Sequence, residues 1–119
     1  MGARLKSVEP LTRFLDHLWV EYGLSPHSVA AYRGDLGTLA EFLARRGLTL
    51  DDAGEADLFD FLGQHDKLSA RTKARRLSSM RRYYQFQLRE AALSVDPTVR
   101  LSAPRLGRSL PKSLSEKDV

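Results

Sequence analysis

The chain has 119 residues, 42% of them hydrophobic and 29% charged, which is ordinary for one globular domain. It contains no cysteine, which excludes disulfide bonds and thiolate metal sites. No apolar run approaches the roughly 20 residues of a membrane-spanning helix, and residues 1–10 lack the apolar segment of a signal peptide.

Charge is distributed unevenly along the chain, although the net charge is only +4. Residues 1–66 carry six Lys and Arg against eleven Asp and Glu, whereas residues 67–119 carry thirteen against four. A basic half of this kind is typical of contact with a polyanion, most often a nucleic acid. The alternative is a solvated surface that is rich in arginine.

The first predicted helix begins at Pro10 and ends near Tyr22. Gly23 follows it and can adopt the left-handed conformation that closes many helices. Trp19 flanks the apolar stripe and is predicted to pack, with a place in an interface as the alternative. The residues predicted to face the core are Leu11, Phe14, Leu15, Leu18 and Tyr22.

The second predicted helix runs from Pro26 to Arg46. Ser25 is a favourable N-cap, Pro26 fits the first turn because the missing N–H would have no helical partner there, and Gly47 ends the helix. The predicted core residues are Val29, Tyr32, Leu36, Leu39, Ala40 and Leu43.

Small residues form a strip along this second helix at Ala30, Gly34 and Gly37. Each glycine costs about 1 kcal/mol relative to alanine inside a helix. The strip is therefore predicted to admit close approach by a neighbouring helix, with the backbone of DNA as the alternative.

A polar connection over residues 49–54 leads to a short third helix over residues 55–65, with Leu58, Phe61 and Leu62 facing inward. The fourth predicted helix, over residues 69–91, has Ser69 as its N-cap. Its predicted core stripe is Ala70, Ala74, Leu77, Met80, Tyr84, Leu88 and Ala91. Its outward, cationic stripe is Arg71, Arg75, Ser78 and Arg82, with Thr72 and Ser79 beside it.

Four helices with short connections predict an all-α protein, a compact four-helix bundle over residues 1–102. Asp96 and Pro97 start a turn that reaches Leu101. Residues 103–114, with prolines, a glycine and cations, are predicted to be a linker. Ser115 and Asp118 match a capping box, so residues 115–119 are expected to start a further, truncated domain.

Residues for catalysis or metal binding do not converge in the sequence. His17, His27 and His65 are on different elements, so neither a metal site nor a cofactor is predicted. No pattern in the sequence places a histidine near a serine, so a Ser-His-acid catalytic site is not predicted. Tyr83 and Tyr84 are predicted to pack rather than to act as nucleophiles.

Four segments carry a recognisable pattern: LTRFLDHLWVEYGLSPHSVAAYRGDL at 11–36, EFLARRGL at 41–48, SARTKARRLSSMRRYYQFQLRE at 69–90 with DPTVRL at 96–101, and LPKSLSEKDV at 110–119. In order and spacing they resemble the N-terminal core-binding, SAM-like domain of tyrosine site-specific recombinases, in particular the Xer type. Integron and phage integrases share the general scheme.

The resemblance implies a domain that forms one half of a clamp around duplex DNA, with its second and fourth helices at the major groove. The DNA-binding residues it implies are Ser25, His27, Ser28, Arg33, Ser69, Arg71, Thr72, Lys73, Arg75, Arg76, Ser79 and Arg82, to which Arg105, Arg108 and Lys112 of the linker add contacts. Arg76 could instead form a salt bridge within the bundle, and Lys73 falls within the apolar arc of its helix.

Catalysis in this family uses a tyrosine nucleophile with Arg, Lys and His residues of a C-terminal domain, and no H-x-x-R sequence occurs here. The resemblance thus implies a fragment that holds DNA without cutting it. Xer relatives resolve chromosome dimers in the bacterial cytoplasm, as tetramers with a DNA translocase. A helix-turn-helix regulator and a helical protein-interaction domain are the alternatives.

Overall fold

The structure is a computed structural model that describes residues 2–63 and 69–101, with side chains from residue 6 onward. These residues form four α-helices and a single 3₁₀ turn, without any β-strand. The elements are α1 (Gly2–Glu21), α2 (Pro26–Ala44), the 3₁₀ turn (Leu50–Asp52), α3 (Glu55–Gly63) and α4 (Ala70–Arg89). The predicted all-α, four-helix architecture is confirmed.

Helix α1 begins at Gly2, so the prediction that Pro10 opens this helix is wrong. A proline inside a helix removes one backbone hydrogen bond and costs about 3 kcal/mol. The turn before Pro10 has a tertiary anchor, because the buried Ser7 hydroxyl accepts a hydrogen bond from the Leu50 N–H at 3.0 Å. This long-range contact holds residues that local propensity would leave outside the helix.

Helix α2 begins as predicted. Ser25 is the N-cap and accepts a hydrogen bond from the Ser28 N–H at 3.1 Å, and Pro26 occupies the first turn. The helix ends at Ala44, two residues earlier than expected. Gly47 then adopts a positive φ of 75°, which favours glycine at this position.

Arg46, two residues after the end of α2, connects this end of the helix to α3. Its guanidinium donates to Asp57 Oδ1 at 2.9 Å and to Asp60 Oδ2 at 3.0 Å. The Gly54 N–H and the Arg46 guanidinium hold the pKa of the Asp57 carboxyl below its usual value. Asp57 also accepts a hydrogen bond from the Gly54 N–H at the start of α3, where a negative charge interacts favourably with the helix dipole.

The core contains most of the residues that periodicity selected. The predicted residues that are buried are Phe14, Leu15, Leu18, Val29, Leu36, Leu39, Ala40, Leu43, Leu58, Phe61, Leu77, Met80 and Tyr84. Leu11, Tyr32 and Leu62 pack against this cluster as partly buried residues. The predicted burial of Tyr22 is wrong, because its side chain is 54% exposed beyond the end of α1.

The core face of α4 is rotated from the predicted stripe in its second half. Leu88 is 39% exposed, and Ala91 lies beyond the helix with a φ of 62°. Phe86 is buried instead, because the Phe14 ring of α1 packs 5.5 Å from its ring centroid, and Phe14 packs equally close to Tyr83. The stripe was predicted from α4 alone, whereas α1 determines which side of it is covered.

The connection before α3 is pinned to α4 by three side chains. The Tyr84 hydroxyl donates to the Leu50 carbonyl at 2.6 Å, and the Tyr83 hydroxyl and the Gln87 amide donate to Asp51 Oδ1 at 2.9 and 3.0 Å. Leu50 itself is fully buried. The segment predicted to be a polar connection is therefore part of the core.

The glycines of α2 do not meet a neighbouring helix. A Cβ atom built on Gly34 or Gly37 would find no atom of the described residues within 4 Å beyond the local backbone. Both glycines instead line an open groove of about 330 Å³ beside Val8 and Leu11 of α1. The prediction that they admit close helix packing is wrong.

The segment after α4 makes the predicted turn. Asp96 Oδ1 accepts hydrogen bonds from the N–H and the hydroxyl of Thr98, at 2.8 and 2.6 Å. Leu101 is buried and its carbonyl accepts a hydrogen bond from Arg81. The predicted linker and the start of a further domain, over residues 103–119, lie outside the described residues.

Candidate nucleic-acid interface

An exposed stripe runs the length of α4, which confirms the predicted outward orientation. Arg71, Arg75, Ser78 and Arg82 are exposed, and the same spacing of four and three residues continues through exposed Gln85 and Arg89. At 1.5 Å per residue the stripe is about 27 Å long. We call these six positions the α4 stripe.

Arg75 is the member of the α4 stripe with an acidic partner. Its Nη2 donates to Asp35 Oδ1 at 2.8 Å and its Nε donates to Asp35 Oδ2 at 3.2 Å, a bidentate contact to α2. The Ser79 hydroxyl donates to the same Oδ2 at 2.8 Å. Ser79 was expected beside the cationic stripe, but it is only 4% exposed and its hydroxyl is used inside the protein.

Arg82 and Arg89 rest on aromatic side chains in the groove between α1 and α4. The Arg82 guanidinium lies 5.2 Å from the Tyr22 ring centroid, and that of Arg89 lies 5.8 Å from the ring of Phe86. Arg89 Nη2 also donates to His17 Nε2 at 3.0 Å, which places the proton of a neutral His17 on Nδ1. These contacts hold long side chains at defined positions on the surface.

The first turn of α4 uses most of its hydroxyl groups internally. Ser69 Oγ accepts from the Thr72 N–H at 3.1 Å and donates to Thr72 Oγ1 at 3.0 Å. Lys73 is half-buried, as its place in the apolar arc suggested. Arg71 is exposed and has no acidic partner among the described residues.

Arg76 is directed into the bundle rather than along the α4 stripe. Its guanidinium lies 5.5 Å from the Phe61 ring centroid, and its Nε atom is buried without a hydrogen-bond partner. It has no acidic partner in the described part of the chain, so the alternative of an internal salt bridge is not observed. Arg76 therefore contributes a cation–π contact between α4 and α3.

The residues predicted on α2 divide between two faces. Ser28 lies seven residues before Asp35, on the side of α2 that faces α4. The Ser25 hydroxyl donates a hydrogen bond to the Ser28 hydroxyl. His27 is exposed. Arg33 is about 200° around the helix from Asp35, and it lines a groove with Trp19, which is 51% exposed. Arg33 is thus separated from the α4 stripe. The Trp19 side chain, which was predicted to pack, is only partly covered by its neighbours.

The two adjacent tyrosines are interior residues, as predicted. Burial and the nearby Asp51 carboxylate raise the pKa of the Tyr83 hydroxyl far above its usual value. Burial likewise raises the pKa of Tyr84, whose hydroxyl donates to a backbone carbonyl. Both side chains are therefore neutral and inaccessible to a substrate in the folded chain.

Besides Gln85, which continues the α4 stripe, sequence reasoning missed Asp35, His17 and Arg89 on this surface. The spacing signal could have found Arg89, since it lies seven residues after Arg82 on the same helix face. No local signal indicated Asp35 or His17, because each acts on α4 from a different helix. Across the described ranges, no group of three His, Asp or Glu residues could hold a metal ion, and no helix is long and apolar enough to cross a membrane.

Comparisons with known proteins identify the family of this chain. The family described as "Phage integrase, N-terminal SAM-like domain" matches residues 11–91. Tyrosine recombinase XerD of Pseudomonas aeruginosa is 42% identical over 111 residues, 92% of this chain and 37% of that protein. XerD of Shewanella oneidensis is 42% identical over 120 residues, 98% of this chain and 40% of that protein.

XerD of Ralstonia nicotianae is also 42% identical, over 95% of this chain and 37% of that protein. The chain thus spans less than half the length of the curated relatives it matches. Both the family match and these alignments include α4 and the α2 residues that contact it. The chain belongs to the phage integrase N-terminal SAM-like domain family, as the N-terminal domain of an Xer-type tyrosine recombinase.

Proposed function

We propose that this chain binds duplex DNA as one half of the clamp of an Xer-type tyrosine recombinase. The observation that carries the proposal is the α4 stripe, which presents four exposed arginines along one helix face. A row of this length matches the polyanionic backbone of a duplex, and lysine or arginine contacts to phosphates dominate the affinity of such interfaces.

The phosphate contacts come chiefly from the arginines that keep their full charge. Arg71 and Arg82 have no acidic partner among the described residues, and Arg89 interacts with a histidine rather than a carboxylate. Asp35 neutralises Arg75, so this arginine releases fewer counterions. Of the remaining predicted contacts, those of Ser25, His27 and Ser28 at the start of α2 are kept in this proposal, with Arg105, Arg108 and Lys112 added from the linker. Lys73 is left out, because it lies about 200° around α4 from Arg71.

The single substitution Arg71→Ala tests this function. Each lost phosphate contact is expected to lower the slope of log affinity against log salt concentration by about 0.9. The measurement is a titration of the wild-type chain and the variant with random-sequence duplex DNA at several salt concentrations. The matched control is Arg45→Ala, which removes the same charge from the exposed C-cap of α2.

Binding that does not respond to salt, or an Arg45→Ala variant that loses as much slope as Arg71→Ala, would argue against the proposal. A plain protein-interaction domain would show no affinity for random duplexes even at low salt. The family membership already favours a recombinase over a helix-turn-helix regulator.

In this proposal, residues 1–102 form the DNA-binding bundle and residues 103–114 form a linker. Cutting and rejoining of DNA belongs to a C-terminal catalytic domain, of which residues 115–119 are the start. The whole protein would act in the bacterial cytoplasm as a tetramer on DNA with a translocase, in site-specific recombination such as chromosome dimer resolution. The support is the similarity to XerD proteins over nearly the whole chain.

The chain by itself is expected to form no covalent adduct with DNA. Tyr83 and Tyr84 are fully buried, and burial holds both hydroxyls in the neutral form, which is a poor nucleophile. Incubation with nicked duplexes followed by denaturing electrophoresis should reveal no protein–DNA species. A tyrosine-linked adduct detected by mass spectrometry on any of the four tyrosines would contradict this assignment.

A further inference from the structure

We propose that Asp35 positions Arg75 to recognise a guanine in the major groove, so that Arg75 contributes sequence preference rather than phosphate affinity. This inference rests on the proposed DNA binding by the α4 stripe. It assigns different tasks to arginines that look equivalent in the sequence.

The first argument is the geometry of the contact. Asp35 is only 4% exposed, and its two oxygens accept from the Nε and Nη2 edge of Arg75 at 3.2 and 2.8 Å. Ser79 donates to Oδ2 at 2.8 Å and fixes the carboxylate in turn. The Arg75 side chain remains 59% exposed, so its buried partner holds one edge while the rest of the guanidinium faces outward.

The second argument counts the donors that are left. A guanidinium has five N–H groups, and the contact with Asp35 uses one on Nε and one on Nη2. Both N–H groups of Nη1 and the second of Nη2 remain, and the last of these forms the end-on fork of the side chain together with one N–H of Nη1. That fork matches the O6 and N7 acceptors of guanine, the commonest specific arginine contact in the major groove.

The third argument is charge. A carboxylate beside Arg75 makes the net charge of the pair zero, which weakens attraction to phosphates but leaves the outward hydrogen bonds in place. The fixed plane also reduces the side-chain entropy that must be lost on binding. Arg71 and Arg82 are not neutralised in this way, since no acidic side chain contacts them in the described ranges.

The experiment is a selection of preferred sequences from a randomised duplex library, performed with the 119-residue chain and its variants. The wild type should prefer guanine at one position, and Arg75→Ala should lose that preference by about 5- to 150-fold. Asp35→Asn should lose most of the same preference, while its affinity for random duplexes and its salt slope rise, because Arg75 then has no carboxylate to neutralise it. Arg71→Ala is the matched control and should retain the guanine preference while its salt slope falls.

A second readout separates base recognition from a merely structural role. Replacing the preferred guanine by deazaguanine, which lacks N7, should weaken the wild type but leave Arg75→Ala unchanged. If circular dichroism shows that Asp35→Asn does not fold, Ser79→Ala and Arg75→Lys supply the test. The first removes one hydrogen bond to Asp35 and the second keeps the charge without the fork, and both should reduce the guanine preference.

Equal losses on all sequences for Arg75→Ala, together with a lower salt slope, would overturn the inference and make Arg75 a phosphate contact. A guanine preference that survives Arg75→Ala would overturn it as well. Failure of the proposed function is a different result, since the wild-type chain would then bind no duplex at low salt.

Discussion

Leu36→Ala is expected to lower the free energy of unfolding by about 2–5 kcal/mol, and Leu77→Ala by a similar amount. The Leu36 side chain is 0% exposed and that of Leu77 is 1% exposed, so each substitution leaves a cavity between helices. Contacts of α2 with α1, α3 and α4 leave little room for the surrounding helices to collapse into that space. Urea unfolding followed by circular dichroism measures both losses.

The matched control is Leu88→Ala, the same change on the same helix as Leu77. Periodicity placed both leucines on one apolar stripe, but Leu88 is 39% exposed. Its loss is expected to stay below about 1 kcal/mol, since little apolar area leaves water there. Losses below about 1 kcal/mol at both Leu36 and Leu77, or a Leu88 loss as large as theirs, would mean that the core has been misplaced.

Local chemistry accounts for what the sequence predicted correctly about the fold. Ser25 and Ser69 cap α2 and α4 through their own side chains, and both helices begin within one residue of these serines. Gly23 has a φ of 62° after α1, as its position predicted. These features depend on neighbours in the sequence, which is why periodicity and capping rules can find them.

Errors in the fold arose where a distant contact determines the structure. Pro10 is a good first-turn residue, yet α1 extends before it because Ser7 is bound to the Leu50 backbone. The second half of α4 turns Phe86 inward because Phe14 packs against it. A hydrophobic pattern read on one helix carries no information about where the partner helix crosses it.

The candidate site divides in the same way. Exposure of Arg71, Arg75 and Arg82 follows from their spacing on α4 and was predictable. The pairing of Arg75 with Asp35 joins residues 40 positions apart and could not be read from either helix. That pairing changes the charge that Arg75 presents to a ligand. The exposure of each arginine was therefore predictable from the sequence, whereas the kind of contact it makes with a ligand was not.

The double variant Arg71→Ala/Arg82→Ala is expected to bind random duplex DNA on the order of 10- to 100-fold more weakly than the wild type at low salt. Both side chains are exposed, so their removal leaves the core intact. The salt slope should fall by about 1.8, because each arginine is expected to release its own share of counterions from the duplex. Fluorescence anisotropy of a labelled duplex at several salt concentrations measures both quantities.

The control for this variant is Arg13→Ala/Arg45→Ala, which removes two exposed arginines from α1 and the C-cap of α2. The net charge falls by the same amount in both double variants, so a general effect of charge would weaken them equally. We expect the control to keep nearly all of the wild-type slope, because neither arginine lies on the α4 stripe. Equal losses in the two double variants would show that α4 has no special place in binding, and the proposed interface would then be wrong.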